Sequence, residues 1–498
     1  MRRETKRLRT EVESFFFTEE VPYALAMCRI CMPLAMLAMM LPRWAAVREL
    51  FSSDGATAPL GIGYGYFDFL PELSGPMAVA LYSSMVLAFC ATCVGWCTRT
   101  SLVIGNVLFT YFCMLDCAST LTKYTVIATH ILFILTLSEC GSLWSVDAWL
   151  SGRKRSHSAA QPNLLRQRFP AWPRRLIQLH IGFVYFGAAM TKMHTPTFFT
   201  GDQLQNWMQT HLNFRHPFGE YLSLYPILLV AMAYVSVVWE ILFLFLCWKS
   251  MWRKFVLPLG ILFHFMTLLT LGLLLFPAIC YVTYFSFIDE EDVRRCSKWF
   301  RRQVRHFTAL KSSVRWLNAC RDWMGYPIGW QMSSRAAFVF TLVLFSVMNV
   351  ELEYWQDPYG IRRIVGRHTL NAADPLLVEK ILAPAERMRD ADVFFAIDTG
   401  TLLVGEQLAN RRREFWHGET MIAQCHLIPP HDDMWIECQI HDAQHRIVDR
   451  FGAIATREMF RCNFSVFISE KMSPGDYSLV ITTGGRPVMK KLIHVFPR

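Results

Sequence analysis

The sequence predicts a polytopic all-α membrane bundle of about nine spans, followed by a C-terminal all-β, immunoglobulin-like sandwich. Three observations predict it. Of 498 residues, 53% are hydrophobic and only 18% are charged, against about 25% charged in soluble domains. The apolar residues gather in blocks of about 20, the length that crosses a hydrocarbon core. After residue 390 the pattern changes to short β-rich runs punctuated by turn residues.

Length and hydropathy place the spans at 22–42, 77–97, 101–119, 124–142, 176–193, 225–247, 253–272, 273–288 and 333–350. The apolar run after the basic N-terminus is long enough to span and lacks a small-residue cleavage site, so it reads as a span and not a signal peptide. The net charge of +10 comes from Lys and Arg in the segments between apolar blocks. That placement obeys the positive-inside rule and implies a lipid bilayer as partner, not nucleic acid. With residues 1–20 inside, basic residues recur at Arg99, Arg153 to Arg175, Lys249 to Lys254 and Arg294 to Arg315, on alternate loops. The segments 43–76 and 194–224 carry few beyond Arg43, Arg48 and Arg215. Nine spans then put the N-terminus in the cytoplasm and the C-terminal domain outside the cytoplasm.

The resulting divisions are 1–20, a membrane domain at 21–350, a linker at 351–390 and the sandwich at 391–498. The linker carries a helical piece around Pro375–Met388. Residues 291–316 are basic with aromatics at helical spacing, which reads as an inside interfacial helix. Two outside segments are too long for simple turns. One holds Gly61-Ile62-Gly63-Tyr64-Gly65-Tyr66-Phe67, and the other alternates aromatics with Asp202, Gln203 and Trp207. Both suit the bilayer surface over a cavity. Strands are expected at Asp392–Ile397, Met421–Leu427, Trp435–Ile440, Phe464–Ile468, Tyr477–Thr482 and Lys491–Phe496. Cys425 and Cys438 flank a Pro-Pro-His-Asp-Asp turn and are expected to face each other across a hairpin, which leaves a disulfide open. The other cysteines lie mostly inside apolar blocks and read as small packing thiols, with no metal site.

Charged groups inside apolar spans are costly, so each is a functional candidate: Arg29, Asp116, Glu139, Lys192, Glu240 and His264. Arg29 suits a structural tie to Asp116 or to a backbone carbonyl, and Glu139 and Glu240 are expected to be protonated or paired. Lys192 is either a snorkelling lysine or an amine held in a low-dielectric pocket, able to act as a base. No Ser-His-Asp order, HExxH or Walker motif is present, so hydrolase, metalloprotease and ATPase chemistry lack support.

Several segments carry a family likeness. They are Leu25-Ala26-Met27-Cys28-Arg29-Ile30, the turn from Gly95 to Ser101, Leu115-Asp116, Trp144-Ser145-Val146-Asp147, Tyr185 to Met193, Phe263-His264-Phe265-Met266 and Leu275-Phe276-Pro277. Over roughly residues 20–288 the chain resembles the vitamin K-dependent gamma-glutamyl carboxylases and their bacterial relatives, the horizontally transferred transmembrane (HTTM) domain proteins. The resemblance implies a reaction in which a lysine deprotonates reduced vitamin K or a related quinone and O2 adds. The resulting strong base removes a γ-proton from a glutamate of a protein or peptide substrate, CO2 adds, and the quinone leaves as its epoxide. It puts Lys192 at the catalytic lysine, His264 at the intramembrane histidine, and Tyr124, Tyr185 and His194 at cofactor-binding positions. Departures are visible too. Lys123-Tyr124 stands where the family often has Asn-His, Thr191 precedes Lys192 where carboxylases carry paired lysines, and the C-terminal region is shorter than in animal carboxylases. The alternative is a non-enzymatic HTTM protein whose helices anchor an outside sandwich that binds a partner. A protease-sensitive tag after Arg498 should be cut from outside in intact cells. Cutting only after lysis would reverse the expected orientation.

Overall fold

A computed structural model describes residues 2–55, 57–59, 70–116, 120, 122–156, 167–209, 217–306, 333–356, 375–376 and 390–498. The helices are α1 Arg2–Phe17, α2 Tyr23–Met40, α3 Val47–Phe51, α4 Gly75–Val94, α5 Thr98–Leu115, α6 Lys123–Thr136, α7 Val146–Ser156 and α8 Trp172–Met193. They continue with α9 Pro196–Phe199, α10 Asp202–Gln209, α11 Pro217–Ser223, α12 Pro226–Leu246, α13 Ser250–Leu271, α14 Leu275–Tyr284, α15 Glu290–His306 and a final α16, Ser334–Gln356. Each of the nine expected spans coincides with one of these helices. Among the described residues, six helices are long and apolar enough to cross a membrane: Tyr23–Phe51, α4, α5, α12, α13 and α16. The helices at Lys123–Thr136 and Leu275–Phe287 are apolar but shorter. Ile227, Phe255, Val107 and Phe340 point outward while Arg29, Glu240 and His264 are buried. Apolar outside and polar inside is the arrangement a lipid solvent requires.

Contacts divide the chain into two units, Met1–Ile181 with Leu275–Leu370, and Gly182–Leu274 with Asn371–Arg498. In the first unit, three of the sequence motifs meet in one polar knot. Arg29, fully buried, donates to the carbonyls of Thr92 at 2.9 Å and Trp144 at 2.7 Å. The Asp147 carboxylate accepts from the amides of Cys97 and Thr98 at 2.9 and 2.7 Å, and so caps the start of α5. An anion there satisfies orphan N–H groups and complements the helix dipole. The Asp147 amide in turn donates to the Gly95 carbonyl at 3.0 Å. Asp116 ends α5, buried, and its carbonyl accepts from the Thr120 amide at 3.1 Å. Glu139 differs from expectation. α6 ends at Thr136, so Glu139 lies beyond the helix, half exposed, in an ion pair with Arg99.

In the second unit, the chain after α8 turns through Gly201, whose φ of +80° suits glycine. A Cβ there would stand 2.9 Å from Leu229, so the turn also lets α10 approach α12. α10 has two working faces. Leu204 and Met208 pack with Leu222 of α11, Leu229 of α12 and Leu271 of α13. Gln205 donates to the carbonyls of Ser223 at 3.0 Å and Lys490 at 2.9 Å, which joins α10 to the sandwich.

The sandwich has β3 Phe394–Gly400, β4 Leu403–Val404, β5 Gln407–Leu408, β6 Glu414–Trp416, β7 Thr420–Leu427, β8 Met434–His441, β9 Ile447–Ala455, β10 Arg461–Phe467, β11 Gly475–Thr483 and β12 Arg486–Phe496. (β1 and β2 are the two-residue pair Glu19–Glu20 and Phe169–Pro170 of the first unit.) One sheet has the order β10-β7-β3 and the other β6-β12-β11-β8-β9. β8 alternates as a half-buried strand should, with Met434, Ile436, Cys438 and Ile440 inward. They meet Phe415, Met421, Phe464 and Ile481 in one core.

Three expectations need correction. β7 and β8 belong to different sheets, so Cys425 and Cys438 do not form a hairpin pair. With Cys462 they are free, buried thiols, and burial pushes Cys438 up to about 12 and Cys462 to about 11. Residues 351–356 continue α16 and are not linker. β4, β5, β6 and β9 were not expected: the first three are only two or three residues long, and Asp449, Arg450 and Gly452 break the apolar alternation of β9. The Gly61–Phe67 motif, the part of 291–316 after His306 and most of Pro375–Met388 lie outside the described residues.

Lys491 is buried at 5% exposure, donates to the Ile397 carbonyl at 3.0 Å, and lies 3.6 Å from Asp202 and 3.9 Å from Asp398. Burial alone would raise the Asp398 carboxyl, but the hydrogen bond from His426 and the charges of Lys491 and Arg411 hold it below its usual value. A carboxylate depressed on folding contributes its stability above the unfolded pKa and loses it as pH falls through the folded one. Unfolding of the sandwich, followed by tryptophan fluorescence, should therefore become easier as pH drops below about 4. Asp398→Asn should be less stable at neutral pH and lose part of that acid dependence.

Candidate functional site

The second unit gathers four of the residues singled out from sequence. On α8, Tyr185, Ala189 and Lys192 follow at i, i+4 and i+7, so they share one face. α12 brings Glu240 and α13 brings His264. Lys192 Nζ donates to Glu240 Oε1. The Glu240 side chain is 3% exposed and the Lys192 side chain 19%, so the amine is the accessible end of the pair. Tyr185 and His264 share a hydrogen bond of 2.6 Å between the phenol oxygen and Nε2.

A continuous aromatic wall links the two pairs. The Lys192 ammonium lies 5.4 Å from the Phe198 ring and 5.9 Å from the Phe263 ring. Phe263 packs on Trp239 at 5.0 Å, and Trp239 on Tyr185 at 4.9 Å. Trp239 Nε1 donates to the Val256 carbonyl at 3.1 Å, which ties α12 to α13 and sets the ring. Ammonium over aromatic faces is favourable, more so where water is scarce. Glu240 keeps its second oxygen, Oε2, buried and without a hydrogen-bond partner among the described residues.

The remaining candidates lie elsewhere. His194 is exposed and donates through Nδ1 to the Met190 carbonyl at 2.8 Å. Tyr124 belongs to the first unit, near the start of α6, where its ring lies 6.5 Å from Phe276. Arg29 and Asp116 belong to the first unit as well. Among the described residues no cluster of three His, Cys, Asp or Glu is placed to hold a metal. From sequence, Phe198 is only one of the aromatics of segment 194–224, Phe263 only part of a family motif, and Trp239 is not singled out, because an aromatic in an apolar run carries no mark that separates a packed wall from lipid-facing packing.

The pair makes a testable statement about stability. Removing one partner of a buried ion pair leaves the other charge uncompensated, at a cost of about 3–5 kcal/mol. Lys192→Met should therefore lower the Tm of the detergent-solubilised protein. The double variant Lys192→Met with Glu240→Met should recover most of the loss, since both charges are then gone. Equal losses in single and double variants would argue against the pairing.

Comparisons with known proteins bear on the same elements. The HTTM domain matches residues 17–291, more than half of the 498-residue chain. No curated protein matches it. Among solved structures, an immunoglobulin-like protein from Pseudomonas aeruginosa is similar to part of the chain. The identity is 14%, the likeness covers 21% of this chain and 94% of that one, and the TM-score is 0.17. The HTTM match runs through the knot of Arg29 and Asp147 and through Lys192, Glu240 and His264 alike, and the chain belongs to the HTTM domain family of membrane proteins.

Proposed function

We propose that this membrane protein is a vitamin K-dependent carboxylase-like enzyme, and that the Lys192–Glu240 pair at the end of the aromatic wall handles the proton of a reduced quinone. The observation that carries the reading is the pair itself. An accessible amine is backed by a buried carboxylate with a spare acceptor oxygen and flanked by aromatic faces. That donor set fits a planar, hydroxyl-bearing aromatic ligand better than an ion or a charged metabolite. A bound reduced quinone, with O2, would supply the strong base that a glutamate γ-carbon requires before CO2 can add.

The chain's own groups do the rest. With the pair's proton resting on Glu240, the neutral amine of Lys192 takes a proton at Nζ, and its hydrogen bond to Glu240 Oε1 keeps Nζ aimed at the open side. Phe198, Phe263 and Trp239 keep water from the amine and present flat faces. The Tyr185–His264 hydrogen bond holds α8 against α13 and orients both rings. The charge bias of the loops supports nine spans with the N-terminus inside, which puts Lys192 and the sandwich toward the outer face.

The test uses purified full-length protein in nanodiscs with reduced vitamin K, O2, bicarbonate and a glutamate-containing peptide. Epoxide should form, and Lys192→Ala should lower its rate at least about 100-fold, the scale of a lost proton-transfer group. Tyr185→Phe should cost less. Wild-type protein with neither turnover nor quinone affinity would defeat the enzyme reading. It would leave the helices as an anchor for the sandwich, a role the α10–sandwich joint supports.

A further inference from the structure

Neighbouring residues of α9 serve two places. Phe198 turns its ring to Lys192, and Thr197 lines a separate cleft of about 280 Å3 that the proton chemistry does not use. One wall of the cleft is the polar face of α10, with Asp202, Asn206 and Gln209 at i, i+4 and i+7. The other is β3 from Phe395 to Asp398, with Arg411 and His426 beside it.

Three properties of the walls define what fits. The first is unmet hydrogen-bonding capacity. Gln209 is 7% exposed, and its Nε2 donates at 3.3 Å to both the Val488 carbonyl and Ser223 Oγ. A carbonyl only accepts, so the amide cannot be flipped, and Oε1 is the atom left buried without a partner among the described residues. Asn206 Oδ1 is buried without a partner as well. Buried acceptors left unmet are costly and rare, so they call for a ligand with O–H or N–H groups.

The second property is charge. Asp202 is paired with Arg413 and lies near Lys491, and Asp398 is met by Lys491, Arg411 and His426. Two carboxylates face the three fixed cations Lys491, Arg411 and Arg413, so a cationic guest finds no unpaired acid in the cleft. The third is the edge of β3. Lys491 takes the Ile397 carbonyl and α10 lies alongside, so an incoming peptide cannot extend the sheet with a ladder of main-chain bonds. The half-buried Phe395 ring adds one apolar face among amides, carboxylates and a hydroxyl.

A neutral ring whose hydroxyls donate and accept, and whose C–H face packs on an aromatic, meets all three. We infer that this cleft binds a single sugar ring, free or as the headgroup of a glycolipid. The inference is independent of the Lys192 reading, because it uses neither that pair nor a quinone.

The test is saturation-transfer NMR on the full-length protein in nanodiscs, purified without glycosidic detergents. The probes are methyl β-glucoside and N-acetylglucosamine. Transfer to ring protons is expected for at least one of them. Asn206→Leu should weaken binding about tenfold, the loss of one buried hydrogen bond, while Asn206→Asp, which keeps the acceptor, should retain it. If Asn206→Leu does not fold, Thr197→Val probes the same cleft from α9. Nanodiscs containing diglucosyl diacylglycerol separate the sources. Competition by the lipid identifies a headgroup site, and undiminished binding of the free sugar identifies a soluble ligand. The inference falls if neither sugar nor glycolipid binds, if Asn206→Leu or Thr197→Val binds sugar as tightly as wild type, or if an alanine tripeptide displaces the sugars.

Discussion

A single ammonium shapes the second unit. Lys491 projects from β12 into a site with 5% exposure, where its partners are the Ile397 carbonyl, Asp398 of the sandwich and Asp202 of α10. Burial pushes that amine below its usual value, Arg413 adds to the effect, and Asp202 and Asp398 oppose it. Taking both acids away would strand the buried charge, which is far costlier than losing a surface pair. The acids come from two different structures, so satisfying Lys491 requires α10 to be docked on the sandwich. Arg413, paired with Asp202 and 3.1 Å from the Thr200 carbonyl, enforces the same docking from β6's side.

That joint explains why helices 182–274 and the sandwich form one unit although a long stretch of sequence separates them. It also positions α9, whose Phe198 completes the surroundings of Lys192. The membrane part follows the same logic with a different solvent. Where lipid offers no hydrogen bonds, Lys192 is matched by Glu240, Tyr185 by His264, and Arg29 by the carbonyls at two helix ends. Polar groups that cannot be solvated become the register marks of the bundle.

Much of this was legible in the sequence. Every expected span coincides with a helix, since about 20 apolar residues in a row leave few other structures. Six of the strands were legible because short β-rich runs are bounded by turn residues such as Pro429-Pro430 and Ser473-Pro474-Gly475, and β8 in addition alternates with period two. β9 was not, because an edge strand with one face in water tolerates Asp449, Arg450 and Gly452. Glu139 was misplaced because hydropathy does not register where a helix stops, and Arg99 lies on another helix. Cys425 and Cys438 misled because a tight turn implies a hairpin only when both strands stay in one sheet.

The sequence by itself determined the solvent of the chain, the existence of its helices and strands, and the short list of costly residues, because those depend on composition and local period. Lys192, Tyr185, Glu240 and His264 were on that list without partners. Only the tertiary structure decided that Lys192 meets Glu240, that Tyr185 meets His264, and that Asp202 meets Lys491. Pairings between residues dozens or hundreds apart are settled by packing and by the cost of stranded charge, neither of which leaves a mark on neighbouring positions.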